Sequence, residues 1–127
     1  MLSSLCRPLK TGCGMKLKRV IVESPYAGDI PRNTAYARAC MHDCLIRGEA
    51  PFASHLLYTQ PGILNDSIPK ERMRGIHAGF SWGEVAEAVV VYTDHGISKG
   101  MRYGIENAKI NRLNIEYRML YKTKKRL

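Results

Sequence analysis

The sequence has no long hydrophobic run, since none approaches the roughly 18 consecutive apolar residues of a membrane-spanning helix. Residues 1–14 also lack the apolar core of about 7–15 residues that a signal peptide needs, and Pro8 interrupts the few apolar residues there. Hydrophobic residues still make up 45% of the 127 residues, enough to form a core. These features argue against a membrane protein and a disordered chain, and they predict one globular cytoplasmic domain.

The residues that could bind a metal are few and unsuitably spaced. Of the four cysteines, Cys40 and Cys44 are one helical turn apart, with no second pair at metal-ligand spacing, and the four histidines form no H-x3-H motif. We therefore expect buried thiols in a reducing compartment, and neither a metal ion nor another cofactor. His42 and His77 are expected on helix surfaces.

Acidic residues are scarce beside basic ones, with 11 against 20 and a net charge of +9. The excess lies at the two ends. Residues 1–19 hold five basic and no acidic residues, residues 122–127 hold four basic residues, and residues 20–121 hold 11 of each. We expect a basic extension over residues 1–17, an α/β domain over 18–121 and a basic tail over 122–127. The two ends are either simply solvated or contact nucleic acid non-specifically. Translation could start at Met1 or at Met15.

Short β-branched runs alternate with segments of helical character along residues 18–121. The strands are expected at residues 19–24, 50–58, 88–92 and 114–119, the helices at 32–47, 71–87 and 98–111, and an irregular connection at 59–69. This order predicts a small three-layer α/β domain, Rossmann-like (flavodoxin-like), with a mostly parallel sheet of four to five strands.

Three glycines stand at spacing four in the second predicted helix: Gly75, Gly79 and Gly83. Each Gly costs a helix interior about 1 kcal/mol relative to Ala, so something must pack closely against this stripe. Packing within the domain and a subunit interface both remain open, and we expect a homo-oligomer.

Polar residues collect where the predicted strands end, which is where open parallel sheets bind ligands. Glu23 is unusual there, because an acid at the end of an apolar strand is either functional or paired, for example with Arg102. Asp94 could accept hydrogen bonds from a sugar hydroxyl or from its own loop. The candidate ligand-binding residues of these strand ends are Ser24, Pro25, Tyr26, Gly28, His55, Asp94, Gly96 and Ser98.

A G-x-S-x-G motif at Gly96–Gly100 lies between a strand and a helix. It matches the nucleophile elbow of α/β-hydrolases, but that fold is much larger and places its histidine after the serine, whereas His95 is the last histidine here. The same turn presents backbone N–H groups that suit a phosphate or carboxylate. Ser98 could serve that anion or only cap the helix.

Three segments of the chain share the residue patterns of one enzyme superfamily. They are residues 22–28 (VESPYAG) with Asn33 and Ala37 after them, residues 88–94 (AVVVYTD), and residues 101–108 (MRYGIENA). Together they resemble the nucleoside 2-deoxyribosyltransferase-like superfamily, particularly its small phage- and prophage-associated members. The resemblance implies that the first loop receives a nucleoside. It also implies that a glutamate on the last helix attacks the anomeric carbon, forming a covalent glycosyl-enzyme.

The chain departs from that pattern at the nucleophile, because Arg102 stands two residues before Gly104. The first expectation is therefore binding of a nucleoside, nucleotide or related ribosyl metabolite, with Arg102 holding an anionic group or forming a salt bridge. The second is an active N-glycosidase or deoxyribosyltransferase that uses a displaced carboxylate, Glu23 or Glu106. The third is a small scaffold protein whose basic ends contact nucleic acid.

Overall fold

The structure, a computed structural model, describes residues 16–121. Cys6, Cys13, Met15, most of the expected extension and the basic tail lie outside these residues. The elements in chain order are β1 (Lys18–Glu23), α1 (Ile30–Ile46), β2 (Glu49–Phe52), α2 (Ser54–Leu57), α3 (Pro69–Gly83), β3 (Ala88–Tyr92), α4 (Lys99–Ile110) and β4 (Asn114–Arg118). Within the described part of the chain, no helix is long and apolar enough to cross a membrane.

The four strands form one parallel sheet in the order β2-β1-β3-β4. All five residues of β3 are buried, as expected for an apolar strand covered on both faces. Pro51 has no N–H to donate and lies in β2, an edge strand, where proline is tolerated. The predicted fold class is confirmed: a small Rossmann-like α/β domain with four parallel strands.

One predicted strand is shorter than the sequence indicates. β2 ends at Phe52, and Ser54–Leu57 form the short helix α2, whereas the prediction treated residues 50–58 as a strand that passes into a loop. The β-branched and aromatic content of this stretch is too low to hold four further residues in a strand beside β1. α2 contacts α3 instead.

The side chains of the sheet alternate between two cores. Val20, Val22, Val90 and Tyr92 face α1, where Cys40 and Cys44 complete the apolar contacts. Val89 and Val91 face α4, together with Met101, Ile105 and Ala108. The prediction of buried thiols is confirmed, since Cys40 and Cys44 are both buried and free, and burial raises the pKa of each.

The glycine stripe of α3 packs within the domain. A Cβ on Gly79 would come within 2.8 Å of the Ser54 hydroxyl oxygen, and one on Gly75 within 3.1 Å of Leu64. Gly83 faces Asn107 of α4. The glycines therefore let α3 approach α2 and α4 closely, in agreement with the first of the two interpretations above.

A polar network lies between α1 and the sheet. Arg118, with a side chain only 3% exposed, makes a two-pronged ion pair with Glu49 at 2.6 and 2.9 Å and a second pair with Glu116. The same guanidinium donates to the Tyr92 hydroxyl oxygen at 3.0 Å, and Tyr92 donates to Asp43 at 2.7 Å. Buried charges are stabilising only when paired in this way.

Candidate functional site

A cavity of about 250 Å³ lies on the other face of the sheet, between the carboxyl ends of β1 and β3 and the helices α3 and α4. The chain passes from β1 to β2 on one side and then crosses to β3 on the other, so this position is the topological switch point of the sheet. Apolar side chains form its inner wall: Ile21, Ile76, Phe80, Val89, Met101 and Leu113.

Glu23 ends β1 and directs its carboxyl group into this cavity. The carboxyl lies against the backbone of α4 at Gly104, where a Cβ would overlap it. No hydrogen bond or ion pair joins it to any side chain or backbone group of residues 16–121, and the salt bridge with Arg102 is absent there. Burial without a partner raises the pKa of Glu23 from 4.5 to about 8, so the group is mainly protonated at neutral pH.

Ser24 and His55 form the second polar group of the cavity. The Ser24 hydroxyl and the His55 Nε2 are 2.7 Å apart and hydrogen bonded. Burial lowers the pKa of His55 from 6.5 to about 4, so the imidazole is neutral over the physiological range. The pair therefore fixes the orientation of the Ser24 hydroxyl without adding charge to the cavity.

The N-terminus of α4 forms the third side of the cavity. Ser98 is its N-cap and accepts a hydrogen bond from the Met101 N–H at 3.3 Å, which confirms the capping interpretation. The backbone N–H groups of Lys99 and Gly100 have no acceptor within the described residues. A Cβ on Gly100 would lie 3.4 Å from a terminal guanidinium nitrogen of Arg72, so this side chain rests against the first turn of α4.

The structure brings five of the sequence-predicted site residues together around the cavity: Glu23, Ser24, Tyr26, His55 and Ser98. Pro25, Gly28 and Gly96 do not line it. Pro25 is buried in the first loop, and Gly28 and Gly96 are exposed turn residues with φ of 105° and 83°, which explains the glycine at each.

Asp94 is held by α1 and by the segment after β4, and it does not line the cavity. Its carboxylate accepts hydrogen bonds from the Tyr36 hydroxyl at 2.5 Å and from the backbone N–H groups of Leu120 and Tyr121 at 2.9 and 3.0 Å. Against the opposing effect of burial, these donors hold the pKa of Asp94 below its usual value. The expected bonds from the loop that follows Asp94 are not observed, since its donors come from distant parts of the chain, and Asp94 does not line the cavity.

Arg102 and Glu106 lie on the solvent side of α4 and do not line the cavity. Glu106 is 3.7 Å from Lys109, an exposed ion pair. Each residue turns a helix by about 100°, so Arg102 points about 200° away from Gly104, which faces the sheet. The expected placement of Arg102 in the cavity is thereby corrected: Gly104, not Arg102, stands opposite Glu23.

Sequence reasoning missed Gly104, Arg72 and Asn107. A signal for Gly104 was present, because Met101, Ile105 and Ala108 mark the buried face of α4 and Gly104 belongs to it. Asn107, one turn further on, presents a side-chain amide to the cavity with no hydrogen-bond partner among residues 16–121. Arg72 carried no signal, since only the packing of α3 brings it to α4.

Residues 16–121 contain no group of three or more His, Cys, Asp or Glu side chains that could hold a metal ion. His42 and His77 are exposed on α1 and α3, as predicted.

Two comparisons with known proteins bear on these observations. A search of curated proteins finds no match to this chain. Residues 18–118, from the first residue of β1 to the last residue of β4, match the family described as Domain of unknown function (DUF7768). This match includes every strand and helix of the fold and every residue of the cavity, and the chain therefore belongs to the DUF7768 family.

Proposed function

We propose that the protein binds a nucleoside, nucleotide or related ribosyl metabolite in the cavity at the switch point of the sheet. The observation that carries the proposal is the half-buried Glu23 carboxyl, which lines this cavity against Gly104 and has no partner among the described residues. A buried polar group without a partner costs about 1–3 kcal/mol, a cost that a ligand hydroxyl or amide group would relieve.

The walls of the cavity suit such a ligand. Tyr26 and Phe80 provide aromatic surface for a base, while Ser24 and Asn107 offer hydrogen bonds beside Glu23. The volume of about 250 Å³ is slightly below the about 300–1,000 Å³ usual for drug-sized ligands, which favours one small molecule. The resemblance to nucleoside 2-deoxyribosyltransferases in the first loop supports the same ligand class.

Calorimetric titration of the full chain with deoxynucleosides and nucleoside 5′-monophosphates tests this proposal. We expect saturable binding, and a ligand at 100 times its dissociation constant should raise the free energy of unfolding by about 2.7 kcal/mol. Glu23→Ala should weaken binding, whereas Glu106→Ala, on the exposed side of α4, should not. If no member of the panel bound, the proposal would be wrong and the scaffold interpretation would be favoured.

A second candidate, N-glycosidase or deoxyribosyltransferase activity, is favoured by the position of Glu23 over Gly104. The resemblance implies a nucleophilic carboxylate on α4. Here Glu23, at the end of β1, places a carboxyl group against the backbone of that helix. In this reaction the ionised Glu23 attacks the anomeric carbon, and the bond to the base breaks. The base leaves with the bonding electrons and takes up a proton, and water or a second base then releases the sugar.

Release of free base from deoxynucleosides or their monophosphates measures this activity. Because the carboxylate must be ionised to attack, the rate should rise with pH through about 8 and level off above that value. Glu23→Gln should abolish release and Glu106→Gln should leave it intact. Release that persists in Glu23→Gln would contradict a nucleophilic role for Glu23.

A further inference from the structure

Two cationic groups meet at one end of the cavity. The guanidinium of Arg72 rests against the first turn of α4, a contact that the missing side chain of Gly100 permits. The N-terminus of a helix carries about half a positive charge, and the N–H groups of Lys99 and Gly100 have no acceptor in the described chain. Such an arrangement is repulsive until an anion lies between the two groups.

No protein carboxylate supplies that anion within residues 16–121. Arg72 and Lys99 have neither an ion pair nor a side-chain hydrogen bond there, although both line the cavity. Asp66 also lines it, but no ion pair joins Asp66 to Arg72 or Lys99 in this part of the chain. At the β1 side of the same cavity, the half-buried Glu23 carboxyl lies against Gly104 with no partner among residues 16–121, which is an independent observation in favour of a polar ligand.

We propose that the ligand carries a phosphomonoester, which Arg72, Lys99 and the N-terminus of α4 bind while the rest of the molecule extends towards Glu23. This inference rests on the proposed function and names its substrate class: phosphorylated nucleosides or sugars rather than free nucleosides. A guanidinium and two backbone N–H groups match the several acceptor oxygens of a phosphate dianion, and Lys99 adds a second charge. Arg102 has no part in this site.

The test compares a deoxynucleoside, its 5′-monophosphate, ribose 5-phosphate and inorganic phosphate by calorimetric titration of the full chain. The monophosphate should bind at least about tenfold more tightly than the deoxynucleoside. Arg72→Gln should remove most of that preference, because it should weaken binding of the monophosphate much more than binding of the deoxynucleoside. Arg74→Gln, an exposed arginine on the same helix, is the matched control and should behave as the wild type. Lys99→Gln should reduce the preference to a smaller extent.

Each outcome has a distinct meaning. Equal affinity for the deoxynucleoside and its monophosphate would overturn this inference and leave the proposed function standing. A preference retained in both Arg72→Gln and Lys99→Gln would overturn the assigned position of the phosphate. Binding of ribose 5-phosphate as tight as that of the nucleotide would identify a sugar phosphate as the ligand. Failure of all four probes to bind would overturn the proposed function itself.

Discussion

On the α1 side of the sheet the buried Arg118 is held by Glu49, Tyr92 and Glu116, whereas on the α3/α4 side the half-buried Glu23 has no partner among the described residues. Both sides contain ionisable groups behind the same strands. On the first side Arg118, Glu49 and Glu116 are paired with one another, which indicates a structural role. On the second side an acid and a cation face one cavity unmatched, which is the arrangement that a ligand would complete.

The largest effect is expected on the α1 side. Arg118→Ala leaves the buried Glu49 carboxylate without its main partner and should lower the free energy of unfolding by about 3–5 kcal/mol. Urea denaturation measures this change. Arg47→Ala, which removes an exposed pair with Asp43, is the control and should cost less than about 1 kcal/mol. Equal losses in the two variants would show that the α1 network does not hold the fold.

The second largest effect on the free energy of unfolding is expected at the contact between Glu23 and Gly104. Gly104→Ala places a methyl group where the carboxyl lies, and overpacking of this kind costs about 1–3 kcal/mol. Adding Glu23→Ala should restore part of that loss, because the two residues compete for one space, and a double-mutant cycle by urea denaturation measures the coupling. Gly100→Ala on the same helix meets only the flexible end of Arg72 and should be nearly neutral. Additive effects of the two substitutions would contradict the contact.

The pH dependence of stability tests the protonation of the groups on the cavity side of the sheet. The folded protein keeps a proton on Glu23 up to pH about 8 that the unfolded chain loses near 4.5, so the free energy of unfolding falls as the pH rises between these values. His55, with its pKa lowered from 6.5 to about 4, acts in the opposite direction but only up to pH 6.5.

Between pH 6.5 and 8 the wild type should therefore lose about 1–2 kcal/mol relative to Glu23→Gln, which cannot ionise. Urea denaturation of both proteins at the two pH values gives this difference. Parallel pH profiles would show that Glu23 is already ionised in the folded protein.

The smallest effects are expected on the outer face of α4. Arg102→Ala and Glu106→Gln each remove a charge that lies away from the cavity, so each should change the free energy of unfolding by less than about 0.5 kcal/mol. Each should also change ligand affinity by less than about twofold. Thermal melts and the titrations described above provide the measurement. A marked loss of affinity in Arg102→Ala would restore this residue to the site.

The elements of the fold could be predicted from local patterns. β3 was located to the residue, because five consecutive apolar residues ending before Thr93 are compatible with little else than a buried strand. The helix α2 could not be predicted from local patterns, since its four residues are helical mainly through their contact with α3. The candidate site followed the same division: residues at strand ends were predicted, and residues that helix packing brings in were not.

Local patterns in the sequence were enough to predict a mostly parallel α/β fold, to place Glu23, Ser24 and Tyr26 at the end of the first strand, and to place His55 shortly after the second, because strand runs and breaks are local signals. The packing of α4 against the sheet sets which face of this helix lines the cavity. That choice placed Gly104 against Glu23, Arg72 beside Gly100, and Arg102 in solvent. A helix turns by about 100° per residue, so the orientation of α4 on the sheet determines which of its side chains face the cavity.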